Sequence, residues 1–324
     1  MSSKINILIT GGTGFIYGNF IRYMLKNFSE YNISSIDDIK DIKLINTIYA
    51  NKGHEFYMGD ITNAHFVNNV FEIEKPDIVI HGAAESFVDK SLIVGQEFVK
   101  SNVLGTQVLI DAAVKHKVKK FIYASTDEVY GALNNENESS WTEESPLAPR
   151  NPYSATKACG ELLIKAANIS HGLNYIIMRT CNNYGPRQPR RNLIPVIVAN
   201  ILENKPVPIY GQGSQVREWI YVQSACSAIK KIMDDGALNE IYNVGSGQEF
   251  SNIEVFNEIC NLMGRGHELL QFVTDPRKGH DFRYSINCDK LKNLGWKNDF
   301  KFKGVNGSLN YTINWYNSNQ WFLK

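Results

Sequence analysis

INILITGGTGFIYGNFIRYMLKNF, residues 5–28, joins an apolar run, a glycine cluster and an amphipathic stretch without a break. The run INILIT (5–10) is short and rich in isoleucine, as a buried strand is. The stretch that begins at Phe15 has the apolar spacing of a helix with one buried face. Between them Gly11, Gly12 and Gly14 make a turn in which the chain can bend sharply and bring backbone N–H groups close to an anion. Strand, glycine turn and helix in that order open a βαβ unit, which predicts an α/β fold.

The alternation continues. Strands are predicted at NISSID (32–37), EFYMGD (55–60), DIVIHGAA (77–84), KKFIYAST (119–126) and NYIIMRT (174–180), with helical stretches between them. Continuous apolar strands separated by helices imply a doubly wound parallel sheet of the Rossmann kind, with ligands at the carboxyl ends of the strands. Functional groups are therefore expected just after these runs, at Gly11, Asp37, Asp60, Ala83 and Ser125. Beyond residue 181 the texture changes to loops rich in Pro, Gly and Arg, such as YGPRQPRRNLIP and PIYGQGSQVREW. The predicted organisation is a first domain over 1–180 and a smaller substrate-binding lobe over 181–324. Helix-like VQSACSAIKKIMDDG and strand-like EIYNVG form a return segment, 220–245, to the first sheet. The polar stretch 131–152 reads as a surface loop ending at Pro152.

Composition narrows the function classes. The chain has 324 residues, 43% hydrophobic and 21% charged, enough to bury a sizeable core. With 34 basic against 33 acidic residues, no global field draws it to nucleic acid or to an anionic membrane. No run approaches the roughly 18 apolar residues of a membrane span. No charged segment followed by an apolar run opens the chain, so a cytoplasmic place is expected. Cys159, Cys181, Cys226, Cys260 and Cys288 are odd in number and lack C-x-x-C spacing. That suits a reducing compartment, argues against a metal site, and leaves all five as expected packing residues.

A glycine turn alone is weak evidence for a cofactor, because a plain strand-to-helix turn looks similar. Asp37 strengthens it: an acid closing the second strand accepts the adenosine ribose hydroxyls of a dinucleotide and favours NAD over NADP. Asp60 and Ile61 close the third run in the same way. Position 17 departs from the pattern, since the third glycine of such a turn normally lets the helix pack closely on the sheet. A tyrosine there is expected to rotate outward or push the helix back at about 1–3 kcal/mol, weakening NAD binding without abolishing it.

The strongest signal is Ser125-Thr126-Asp127-Glu128-Val129-Tyr130-Gly131, followed by Tyr153-Ser154-Ala155-Thr156-Lys157. A Tyr and a Lys four apart on a helix share a face. To act as a base near neutral pH a phenol must fall by about three pH units, worth about 4 kcal/mol. One cation at about 4 Å, with an effective dielectric near 20, supplies about 4 kcal/mol, and a cationic nicotinamide adds to it. Tyr153 with Lys157 is thus a sufficient hydride-transfer base. The spacing also occurs by accident on surface helices; the upstream Ser/Thr and the glycine turn argue against accident here.

With these motifs assembled, the chain resembles the extended short-chain dehydrogenase/reductase family, and within it the nucleotide-sugar 4,6-dehydratases. The resemblance runs nearly end to end through GGTGFI, GDIT, HGAAESFVDKS, NVLGT, STDEVYG, NPYSATKA, NNYGP, LIP, PIYGQG, VREWIYV, YNVG and GHDFRY. Asp127-Glu128 is its diagnostic pair. The implied reaction converts dTDP- or UDP-glucose to a 4-keto-6-deoxy sugar, the precursor of deoxysugars such as rhamnose. Its logic is chemical: the C5 hydrogen becomes acidic only after C4 is oxidised, so oxidation precedes loss of water. That order calls for a base at C4 (Tyr153, with Thr126 beside it), NAD as hydride carrier, a base at C5 (Glu128) and an acid for the departing C6 hydroxyl (Asp127). Neighbours on a regular strand face opposite ways, so the two carboxylates can share a substrate only if the strand has turned.

The resemblance further implies cofactor contacts from Gly11, Gly14, Phe15, Ile16, Asp37, Asp60, Ile61, Ala83, Ala84, Asn102, Tyr153 and Lys157. It implies substrate contacts from Ser86, Thr126, Asn182, Asn192, Leu193, Pro208, Tyr210, Arg217, Asn252, His280 and Arg283, with Arg217 the best diphosphate ligand because its fork engages two oxygens. A homodimer formed through the helix after Asn102 and the Tyr153 helix is expected. Same-fold epimerases or decarboxylases, and a binding protein deficient in NAD, are the competing readings.

Overall fold

The computed structural model of the chain describes residues 4–39, 53–135, 137–275 and 281–324. The chain divides into two compact units: Met1–Tyr130, Pro146–Thr180 and Ile229–Tyr242 form the first, and Gly131–Ser145, Cys181–Ala228 and Asn243–Lys324 the second.

The first unit is built on β1 (Ile5–Thr10), β2 (Tyr31–Asp37), β3 (His54–Met58), β4 (Ile78–His81), β5 (Lys120–Thr126) and β6 (Tyr175–Thr180). With the strand Glu240–Val244 they form a seven-stranded sheet, ordered β3, β2, β1, β4, β5, β6 and then Glu240–Val244. The strand pairs from β3 through to β6 are all parallel. Both faces of such strands meet helices, which is why their sequences read as unbroken apolar runs. Leu8, Val79, Phe121 and Ile177 have no exposed surface and pack with Phe71, Leu109 and Ile164 from flanking helices. β1 lies between β2 and β4, so successive connections leave it in opposite directions, and the crevice at its carboxyl end is where ligands of doubly wound sheets sit.

The second unit holds a three-stranded sheet of Glu249–Ser251, Val216–Tyr221 and Asn182–Tyr184, and a parallel pair, Val207–Tyr210 with Leu270–Val273. Tyr184, Trp219, Phe250 and Phe302 pack ring to ring beneath it. The stretch 131–152, expected to be a surface loop, is mostly exposed or half-buried where described, and two bridges tie it to this unit: Leu133 pairs with Arg283 and Trp141 with Ile286. Among the described residues no helix is long and apolar enough to cross a membrane. Four cysteines are buried, but Cys159 is exposed, so the expectation that all five pack inside is corrected at that position.

Candidate active site

The turn after β1 has the geometry a dinucleotide requires. Gly11 has φ of +76°, and a Cβ there would lie 2.8 Å from the Ala83 nitrogen, so only glycine lets this turn meet the segment after β4. Gly14 caps α1 (Phe15–Asn27) without any side chain, leaving the positive end of the helix, with Phe15 and Ile16 in its first turn, for an anion. At the end of β2, Asp37 accepts hydrogen bonds from the N–H and hydroxyl of Thr13 at 2.8 and 2.5 Å and from the Asp38 N–H at 2.9 Å. Burial nonetheless holds its carboxyl above the usual range. Asp60 accepts from the Thr62 N–H at 2.8 Å and pairs with Lys100 at 3.5 Å, while Ile61 is buried against Gly105. A glycine cradle, a helix start without a side-chain cap and a carboxylate closing β2 fit NAD.

Tyr17 does not behave as its sequence suggests. Its ring is 5% exposed, edge-on to Phe20, and lies so close to Gly82 that a Cβ at 82 would be 2.1 Å from the ring. The helix Phe15–Asn27 is unbroken, and the ring at 17 packs against a residue with no side chain just after β4. The expectation of an outward-turned phenol is corrected. Close approach to the turn itself falls to Gly18, where a Cβ would be 3.2 Å from the Gly12 carbonyl.

A buried polar chain runs from this crevice towards the catalytic helix. The Ala83 N–H donates to Thr10 Oγ1 at 3.1 Å, and Thr10 Oγ1 and Thr106 Oγ1 lie 2.8 and 2.9 Å from the two ring nitrogens of His81. Thr106 donates to the Asn102 carbonyl at 2.6 Å. Asn102 sits in a π-helical turn, Val99–Leu104, where its amide grips both the N–H and the C=O of Glu85 and donates to Thr156 Oγ1 at 2.9 Å. Asn102 therefore braces the segment holding Ala83, Ala84 and the exposed Ser86 against the catalytic helix. Burial, with the Lys157 charge nearby, keeps His81 well below its usual pKa and so neutral.

The residues expected to be catalytic come together in the first unit. β5 ends at Thr126 and the chain turns at once into a 3₁₀ helix, Asp127–Tyr130, which meets the condition for the two carboxylates to share a substrate. Thr126 Oγ1 donates to Asp127 Oδ1 at 3.2 Å and accepts from the Glu128 N–H at 3.3 Å. Asp127 is 2% exposed. Glu128 is held by Asn151, whose Nδ2 donates to Oε2 at 2.8 Å. Asn151 also caps the helix Pro152–His171, which carries Tyr153 and Lys157. Burial pushes the Tyr153 phenol up, as do Glu128 and Asp127, while Thr126 opposes them. Burial brings Lys157 down to about 7, against the pull of Glu161, and its ammonium stands 4.3 Å from the Tyr123 ring centroid.

Asn151, Glu161, His81 and Thr106 were not picked out from the sequence. Asn151 was findable, because Asn-Pro-x-Ser is a helix-start signature; the polar partners of Glu161, His81 and Thr106 lie on elements far along the chain, which no local pattern connects.

In the second unit, Arg217 is 8% exposed and donates to the Val216, Phe282 and Asp281 carbonyls at 2.7, 3.2 and 2.9 Å, with its guanidinium 4.5 Å from the Tyr284 ring. Arg283, expected to face substrate, is closed on Glu249 through Nε and Nη2 at 2.6 and 2.9 Å and donates to the Glu138 carbonyl at 2.8 Å. Asn192 and Leu193 begin the helix Leu193–Leu202, Asn252 begins Asn252–Met263, Asn182 opens its strand, and Pro208 and Tyr210 lie on Val207–Tyr210. His280 lies outside the described residues.

Known proteins place this arrangement. The sequence model of the NAD dependent epimerase/dehydratase family matches residues 7–245. The chain is 40% identical to the low-salt glycan biosynthesis protein Agl12 of Haloferax volcanii, over 95% of this chain and 99% of that protein. It is 37% identical to the dTDP-glucose 4,6-dehydratase of Streptomyces niveus, over 98% and 94%. Among solved structures, a dTDP-glucose 4,6-dehydratase from Bacillus anthracis in complex with NAD superposes with a TM-score of 0.90 at 36% identity, covering 99% of this chain and 100% of that one. The UDP-glucose 4-epimerase of Thermotoga maritima shares the fold, with a TM-score of 0.87, at 26% identity over 98% and 100%. From its glycine turn to its acidic pair, then, this chain belongs to the NAD dependent epimerase/dehydratase family, among the nucleotide-sugar 4,6-dehydratases.

Proposed function

We propose that the chain removes water from dTDP-glucose, giving the 4-keto-6-deoxy sugar. The observation that carries this is the placement of Asp127 and Glu128 in a turn directly after Thr126, with Glu128 tied through Asn151 to the start of the helix that carries Tyr153 and Lys157. NAD, held by the Gly11–Gly14 turn and Asp37, would accept the C4 hydride and return it to C6. Tyr153 as its phenolate takes the C4 hydroxyl proton and becomes the neutral phenol, and Lys157 in its charged form stabilises the phenolate that precedes the transfer. Glu128, aimed by Asn151, takes the C5 proton and gives a proton back to C5 when the hydride is delivered to C6. Asp127 gives its proton to the C6 hydroxyl, which leaves as water. NAD ends as it began, so the reaction is redox-neutral overall. The second unit is assigned the nucleotide, with Arg217, Asn182, Asn192, Leu193, Pro208, Tyr210 and Asn252 as its contacts; Arg283, bound to Glu249, is assigned a bracing role. The thymidine nucleotide is favoured because the dehydratase relatives are named for it. A cytoplasmic homodimer supplying deoxysugars such as rhamnose completes the reading; free thiols and exposed apolar helix residues support it.

The test separates the steps. With dTDP-glucose, Glu128→Gln is expected to accumulate enzyme-bound NADH because oxidation proceeds and elimination stalls, whereas Tyr153→Phe accumulates none. Identical stalled states in both variants, or stoichiometric release of NADH by the unaltered enzyme, refutes these roles.

A further inference from the structure

Tyr123 lies on β5, ahead of Thr126, and the chemistry above gives it no part. Its ring has no exposed surface, and the Lys157 ammonium stands 4.3 Å from the ring centroid. Alternation along β5 puts Tyr123 and Ser125 on one face of the sheet. Both meet the helix Pro152–His171 there: Ser125 donates to Glu161 Oε1 at 2.5 Å, and the Tyr123 hydroxyl donates to the Lys157 carbonyl at 3.4 Å. The helix makes room for the phenol with Gly160, where a Cβ would lie 2.2 Å from the Tyr123 oxygen. On the neighbouring strand His81 is the register partner of Tyr123, and the two ring centroids are 5.4 Å apart. A helix and a strand thus hold the ring in one place. We propose that Tyr123 is a positioning residue whose ring face seats the Lys157 ammonium and favours its charged form. For catalysis, the inference rests on the role given to Lys157 in the proposed function.

Lys157 is 3% exposed, so its ammonium has given up most of its water. A cation within about 6 Å of a ring centroid is drawn to the negative face of the ring, most strongly where water is excluded. An aliphatic side chain would fill the space without that attraction. The charges around Lys157 are independent of the ring. From β4, His81 is neutral and buried, and the Tyr123 phenol itself is pushed well up by burial and carries no charge. On the helix of Lys157, burial holds the Tyr153 phenol up, and Glu161 accepts Arg179 Nε and Nη2 of β6 at 3.0 and 2.6 Å. Asp127 and Glu128, from the turn after β5, act on Tyr153. From Gly95–Phe98 and Val99–Leu104, Glu97 pairs with Lys90 and Lys100 with Asp60. A change confined to the ring leaves all of these in place.

The test is the titration of Lys157 itself, followed by NMR in the full-length, NAD-loaded protein with isotope-labelled lysine side chains; the signal lost in Lys157→Met identifies it. Tyr123→Phe keeps the ring and is expected to leave the titration where it is. Tyr123→Leu removes the ring face and is expected to lower the titration by roughly one pH unit. Phenylalanines carrying one, two or three ring fluorines at position 123 are expected to lower it stepwise, because fluorine draws electrons from the ring face with little change of size. That series also decides the matter should the leucine variant fail to fold. A titration that stays in place across the fluorinated series shows packing alone and overturns the proposal. Equal shifts in Tyr123→Phe and Tyr123→Leu assign the effect to the hydroxyl and overturn it as well. In assays with dTDP-glucose, the alkaline limb of kcat/KM is expected to move down with the titration. A titration that moves while the limb stays supports the seat of Lys157 and overturns instead the role given to Lys157 in the proposed function.

Discussion

At the scale of single residues, Tyr17 and Gly82 are best understood as one feature. Gly82→Ala places a Cβ 2.1 Å from the Tyr17 ring, an overlap the buried helix must relieve. We expect it to cost about 1–3 kcal/mol in urea unfolding. Tyr17→Gly, attractive from the sequence as a restored fingerprint, instead empties a filled space and is expected to cost about 3–5 kcal/mol. Combining Tyr17→Ala with Gly82→Ala should cost clearly less than the sum of its parts, as contacting sites do. Strict additivity would show that the two do not share space. Position 17 was misread because its burden is settled by a glycine far along the chain, on a neighbouring strand that no local pattern connects to it. Asp37, Tyr153 and Lys157 could be singled out because the chemistry expected of them fixes both their type and their spacing.

At the scale of elements, the start of the catalytic helix does double duty. Asn151 Oδ1 accepts the Ser154 N–H at 2.8 Å and Ser154 Oγ accepts the Asn151 N–H at 3.3 Å, a reciprocal cap, while Nδ2 holds Glu128. Asn151→Ala is expected to lose about 1 kcal/mol of stability. Asn151→Asp keeps a cap oxygen but faces Glu128 with a like charge. It should retain most of the Tm while slowing elimination at least about tenfold in single-turnover assays, worth about 1.4 kcal/mol of barrier. Equal losses of Tm in the two variants, with unchanged turnover in the aspartate, would leave Asn151 as a cap only. The six strands β1–β6 were legible because parallel strands buried on both faces are continuous apolar runs. The π-helical turn at Asn102 and the Glu161–Arg179 pair were not, since one is a subtlety of hydrogen-bond register and the other joins a helix to a later strand.

At the scale of the whole molecule, apolar side chains stand in water on the two helical segments expected to pair. Val99 and Leu104 are 53% and 50% exposed, and Leu162 and Ile169 on the Tyr153 helix are 58% and 86% exposed. A second copy covering them makes that exposure economical. Leu104→Glu combined with Ile169→Glu should therefore sediment as a monomer at micromolar concentrations where the unaltered chain is expected to be a dimer; a monomeric parent would remove the argument. The first unit is also discontinuous, closing only with Ile229–Tyr242. During synthesis β6 is complete at Thr180, but its partner Glu240–Val244 leaves the ribosome only after the whole of 181–239 has been made. At about 5–20 residues per second that is roughly 3–12 seconds in which β6 presents an open edge. An unpaired strand edge is a template for another chain. A nascent chain of this protein is thus at its most vulnerable to aggregation midway through translation, and slow translation of 181–239 lengthens the exposure.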